Sequence, residues 1–97
     1  MDIIGQIGTP AVLEQLAEEC AELGQAALKM ARKLRGENPT PKTLEECEAD
    51  LCEEMGDVTL CLDLLCDAGV VDMKSMLNGA YGKQARWITR LNEMNKE

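Results

Sequence analysis

The chain reads as all-α: three to four helices in an antiparallel bundle that oligomerisation completes. Three observations predict this. Apolar residues recur at helical spacing through most of the chain, helix-capping signals sit where those runs begin and end, and no stretch alternates with the period of two that a strand needs. The 97 residues suit one domain spanning 1–97. A chain this short buries only about 60–65% of its unfolded surface. With no Phe, one Trp and one Tyr, its core must come from Leu, Ile, Val, Met, Ala and Cys. Small helical chains of this kind often gain the missing core from another copy.

Thr9-Pro10 reads as the first helix start, Thr as N-cap and Pro at the first helical position. Leu13, Leu16, Cys20, Leu23, Ala27, Ala31 and Leu34 keep one face for about seven turns, and Gly36 ends it. Glu37-Asn38-Pro39-Thr40-Pro41 is a short loop. Thr43-Leu44-Glu45-Glu46 fits a capping box. The second helix carries Leu44, Leu51, Met55, Val58, Leu62 and Leu65. From Val58 to Cys66 only Thr59 and Asp63 are polar, so this half should be buried on every side, which one partner helix cannot achieve. Asp67-Ala68-Gly69 breaks it, and Asp72 can cap a third helix. Met73, Met76, Leu77, Ala80, Tyr81, Trp87, Ile88, Leu91 and Met94 give that helix an apolar face. Gly79 and Gly82 weaken its middle by roughly 1 kcal/mol each, which predicts a kink or a division near Asn78-Gly79.

Charge and cysteine usage narrow the function. A net charge of −8 argues against a sequence-independent grip on nucleic acid, which needs Lys and Arg on the phosphates. No segment approaches 18 consecutive apolar residues, so no membrane span is expected. The N-terminus lacks a basic stretch before an apolar core, so no signal peptide is expected. Five cysteines, at 20, 47, 52, 61 and 66, fall at helical positions. An odd number without a secretion signal predicts reduced thiols and a cytoplasmic protein. With no His and no Cys-x-x-Cys, buried apolar thiols are favoured over a zinc site.

The chemistry concentrates in a doubled motif. Glu18-Glu19-Cys20-Ala21-Glu22 recurs thirty-five positions later as Glu53-Glu54-Met55-Gly56-Asp57. Residues three apart lie on one helix face. Taking Leu16 as the centre of the first apolar stripe, Glu19 lies about 60° from it and Glu22 about 120°, on the same flank. Taking Leu62 as the centre of the second, Glu54 lies about 80° away and Asp57 about 140°, again on one side. Glu18 and Glu53 point away. Glu19, Glu22, Glu54 and Asp57 can therefore converge where the helices meet. Uncompensated, four such charges would take a large share of a typical stability of about 5–15 kcal/mol. Cations answer that repulsion, and an all-carboxylate set favours Mg²⁺, with Mn²⁺ as substitute. Di-iron bundles also gather glutamates but need Glu-x-x-His, and the chain has no His. The competing reading is a solvated acidic face.

Basic residues add a second clue. Lys83, Arg86 and Arg90 share one stripe beside Trp87, and Lys29 and Lys33 follow Glu22 on its own flank. Cations beside a metal–carboxylate cluster suit a polyphosphate. Each of them also suits an ordinary solvated face. Trp87 and Tyr81 offer faces to a base, although a lone Trp more often anchors a core or interface.

These residues resemble the paired motif of the all-α nucleoside-triphosphate pyrophosphatases, the MazG-like group. Glu18-Glu19-x-x-Glu22 and Glu53-Glu54-x-x-Asp57-Val58 carry the resemblance. Lys83-x-x-Arg86-Trp87-x-x-Arg90-Leu91 is similar to the segment that often follows, so the likeness runs from about Leu13 to Leu91. It implies a homodimer or homotetramer that uses Mg²⁺ to hydrolyse a (deoxy)nucleoside triphosphate to the monophosphate and pyrophosphate. By position, Glu19, Glu22, Glu54 and Asp57 would be metal ligands, with Glu22 a candidate to take the attacking water's proton. Lys29, Lys33, Lys83, Arg86, Trp87 and Arg90 would hold substrate. The alternative is a non-catalytic acidic helical module for oligomerisation or interaction.

Overall fold

A computed structural model describes residues 1–37 and 41–96. It contains four helices, and the described residues include no strand: α1 (Ile3–Ile7), α2 (Thr9–Arg35), α3 (Leu44–Asp67) and α4 (Met73–Asn95). The all-α expectation holds.

The helix ends follow local chemistry. Gly36 closes α2 in the left-handed region (φ 72°), and its N–H reaches back to the carbonyls of Arg32 and Lys33. The Thr43 side chain accepts from the Glu46 N–H at 3.1 Å, and Glu46 Oε1 accepts from the Thr43 N–H at 3.1 Å, so the capping box is complete. Asp72 caps α4 by accepting from the Ser75 N–H at 2.9 Å and the Ser75 hydroxyl at 2.8 Å. Of the predicted loop, Asn38, Pro39 and Thr40 lie outside the described residues.

Two expectations are corrected. Thr9 is not the N-cap of α2: it is already helical, and Gly8 takes the cap position with φ 91°. The short α1 before it explains the shift, because the chain must turn sharply between two helices and glycine alone adopts that φ cheaply. The division expected as one outcome near Asn78-Gly79 is absent, and α4 is one continuous helix through both glycines. A Cβ placed on Gly79 would meet nothing within 4 Å, so no neighbouring element packs on the helix at that point. The apolar half of α3 is only partly covered within one chain. Cys61 and Leu65 are buried, but Leu60 is 53% exposed, with α2 and α1 the helices that pack against α3.

Core and site both sit on the α2–α3 hairpin, whose two helices pack along their length. Val12, Ala26, Cys47, Cys61 and Leu65 are the buried apolar residues, and α1 lies across one end. Cys47 and Cys61 serve as small core side chains, whereas Cys20 and Cys52 are exposed, and none of the five is in a disulfide. By contrast, α4 shares no packed face with the other helices. Met73, Met76, Leu77, Tyr81, Trp87, Ile88, Leu91 and Met94 all remain exposed on it. No helix among the described residues is long and apolar enough to cross a membrane.

Candidate metal centre

The doubled motif folds onto itself. With α2 and α3 antiparallel, Glu19 meets Asp57 and Glu22 meets Glu54. Each of the four offers one carboxylate oxygen, and those four atoms lie within 4.8 Å of one another. Glu19, Glu54 and Asp57 are half-buried and Glu22 is exposed. Glu18 and Glu53 are exposed and lie outside the cluster, as the helix angles require.

The surroundings do not neutralise these charges. Glu19 Oε1 accepts from Gln15 Nε2 at 2.7 Å. Glu19 Oε2 and Glu54 Oε2 are shut off from solvent with no hydrogen-bond partner. Enclosed carboxylate oxygens without donors are costly. Loss of water pushes the Glu54 carboxyl up to about 7, aided by its hydrogen bond to Glu22 and by the charges of Glu22, Asp57 and Glu19. Asp57 is raised by the same loss of water, then by the charge of Glu19 and a hydrogen bond with it. Burial pushes the neighbouring Cys61 thiol up, with Glu19, Asp57 and Cys20 adding to the effect. The crowding of these carboxylates favours keeping a proton among them, and a cation would relieve the same repulsion. Two donorless oxygens and a hard, all-carboxylate ligand set fit a small divalent cation.

Beside the cluster lies a recess of about 390 Å³, lined by Glu22, Gln25, Ala26, Lys29, Lys42, Asp50 and Glu54. Lys29 lines this recess, while Lys33, half-buried one turn further on, does not. Lys42 and Asp50 were not singled out in the sequence. Lys42 is ion-paired with Asp50, whose hydrogen bond and charge raise the lysine pKa. Asp50 had a signal, since Asp50, Glu54 and Asp57 fall on one helix flank at i, i+4 and i+7. Lys42 had none, because only the path of the chain into α3 brings it there.

Lys83, Arg86, Trp87 and Arg90 do share one surface. With Leu91 and Met94 they line an open groove of about 610 Å³ on α4. A single chain does not bring that groove to the carboxylates: no α4 residue belongs to the cluster or the recess. No protein-family model, no curated protein and no solved structure matches the chain.

Proposed function

We propose that the protein is a Mg²⁺-dependent nucleoside-triphosphate pyrophosphohydrolase, cutting a (deoxy)nucleoside triphosphate into the monophosphate and pyrophosphate. The observation that carries this reading is the convergence of Glu19, Glu22, Glu54 and Asp57 within 4.8 Å, with two enclosed oxygens lacking any donor. These four side chains would hold the cation. When bound, Mg²⁺ offsets phosphate charge and lowers the pKa of water in its shell. Glu22, the exposed member, is reachable from solvent and takes the proton of the attacking water. The water oxygen bonds to the α-phosphorus, the α–β bridging P–O bond breaks, and pyrophosphate leaves. The motif resemblance to the MazG-like group supports the same reaction.

The reading includes a homo-oligomer, with α4 covered by a second copy. Charge supports this. Between Leu44 and Asp67, α3 carries nine acidic side chains and no basic one, whereas α4 carries Lys74, Lys83, Arg86 and Arg90 against Glu93 alone. A basic, apolar helix and an acidic one with an uncovered apolar flank are complementary surfaces of the same molecule. Such a dimer would bring the Lys83, Arg86, Trp87 and Arg90 groove toward a carboxylate cluster. Five free thiols suit a reducing compartment such as the cytoplasm.

The test is incubation with a panel of ribo- and deoxyribonucleoside triphosphates and Mg²⁺, read by pyrophosphate release. Release that Glu54→Gln abolishes supports the enzyme. Failure with every common or modified nucleotide rejects it. The uncovered apolar face of α4 favours a second reading, a non-catalytic interaction module. That reading predicts a partner complex, no pyrophosphate release and no dependence on Glu54.

A further inference from the structure

We infer that the recess beside the cluster seats the substrate's terminal diphosphate, and that Lys42 grips the leaving pyrophosphate. This rests on the metal-centre reading above and adds a direction to it. The recess shares Glu22 and Glu54 with the cluster, so an occupant lies against one end of the carboxylate set. Lys29, two turns along α2 from Glu22, and Lys42, at the entry to α3, both line it. Two ammonium groups beside a carboxylate-held cation are suited to an anion with several phosphate oxygens. Gln25 adds a neutral amide donor at the same wall.

The Lys42–Asp50 pair makes the grip reversible. Both side chains remain accessible, at 42% and 38%. An ion pair this open contributes little to stability, so the ammonium can move to a phosphate oxygen at small cost. Until then Asp50 holds it at the recess wall rather than loose in solvent. The antiparallel helices then orient the substrate. Glu22 and Glu54 face the α2–α3 connection and Glu19 and Asp57 face away from it, so the terminal phosphates point toward the connection and the nucleoside toward the Glu19–Asp57 end. Charge that develops on the pyrophosphate as the α–β bond breaks meets Lys42 and Lys29 already in place.

The experiment measures binding of inorganic pyrophosphate to the full chain by calorimetry, with Mg²⁺ present, beside the Mg²⁺-induced rise in Tm. Lys42→Met keeps the aliphatic stem and should weaken pyrophosphate about tenfold, the size of one charge-assisted hydrogen bond, while the Mg²⁺ response persists. Glu18→Gln, outside both the cluster and the recess, should bind as the unaltered protein does. Asp50→Asn frees Lys42 from its competitor and should bind pyrophosphate at least as tightly. Unchanged affinity in Lys42→Met, with the Mg²⁺ response intact, overturns the subsite alone. Equal weakening by Asp50→Asn and Lys42→Met also overturns it, because the pair would then merely brace the loop. Absence of any Mg²⁺ response in the unaltered chain overturns the metal centre, and the subsite with it.

Discussion

The α2–α3 hairpin and α4 are built from similar amphipathic helices, yet one pair is packed and the other helix stands bare. α2 buries Val12 and Ala26 against an α3 that buries Cys47, Cys61 and Leu65. α4, nearly as long, buries nothing. Amphipathicity alone therefore does not create a fold. The hairpin is held because one short connection returns α3 along α2, whereas the turn after Asp67 leads α4 away. The hairpin also concentrates negative charge where it packs, and α4 carries the positive excess where it does not. One region has a core and lacks counter-charge; the other has the charge and lacks a core.

The largest effect expected of any change is on the carboxylates. Glu54→Gln or Glu19→Gln should reduce pyrophosphate release to background, while Glu18→Gln and Glu53→Gln, outside the cluster, should stay within about twofold, as typical for surface changes. Equal damage from Glu18→Gln would show that the helix faces are misread. Next comes the hairpin core. Leu65→Ala, at a 1% exposed position, should cost about 2–5 kcal/mol by denaturant unfolding. The matched change on α4, Leu91→Asp, should leave the hairpin's helicity intact but convert the proposed oligomer to a monomer in sedimentation. Retention of oligomer in Leu91→Asp would remove α4 from the interface.

A pH series separates the two regions further, because among the described residues the raised carboxyls, Glu54 and Asp57, lie on the hairpin. The folded Glu54 carboxyl holds its proton up to about pH 7, above its ordinary 4.5. The folded state thus binds more protons than the unfolded one between those values, so stability of the metal-free protein falls as pH rises from about 4.5 through 7. Tm should drop across that window in a chelator, and saturating Mg²⁺ or Glu54→Gln should flatten the drop. The smallest effect expected is at the α3 cap, where Thr43→Ala should cost about 1 kcal/mol.

The same contrast explains what was legible in the sequence. The capping box at Thr43–Glu46, the Asp72 cap and the Gly36 stop are local, and each was readable from a few neighbouring residues. Glu19, Glu22, Glu54 and Asp57 were readable because a helix converts spacing into direction, and two flanks that face each other need no further information. α1 was not readable, since five residues are too few to show a period. Its presence moved the α2 cap from Thr9 to Gly8. Gly79 and Gly82 carry a real propensity cost, yet the helix continues through both. Asp50 was readable from its i, i+4, i+7 place with Glu54 and Asp57, whereas Lys42 required the three-dimensional path of the chain into α3. The position of α4 is not encoded in its own stripe, which states that a partner is needed and not which one.

The most direct test of the central claim is thermal unfolding at pH 8 with and without Mg²⁺, for the unaltered protein, Glu54→Gln and Glu53→Gln. A metal centre predicts that Mg²⁺ raises Tm in the unaltered protein and in Glu53→Gln. It also predicts that Glu54→Gln starts from a higher metal-free Tm, because it removes an enclosed charge, and gains nothing from Mg²⁺. A flat Mg²⁺ response in all three, or an equal rise in Glu54→Gln, would contradict it.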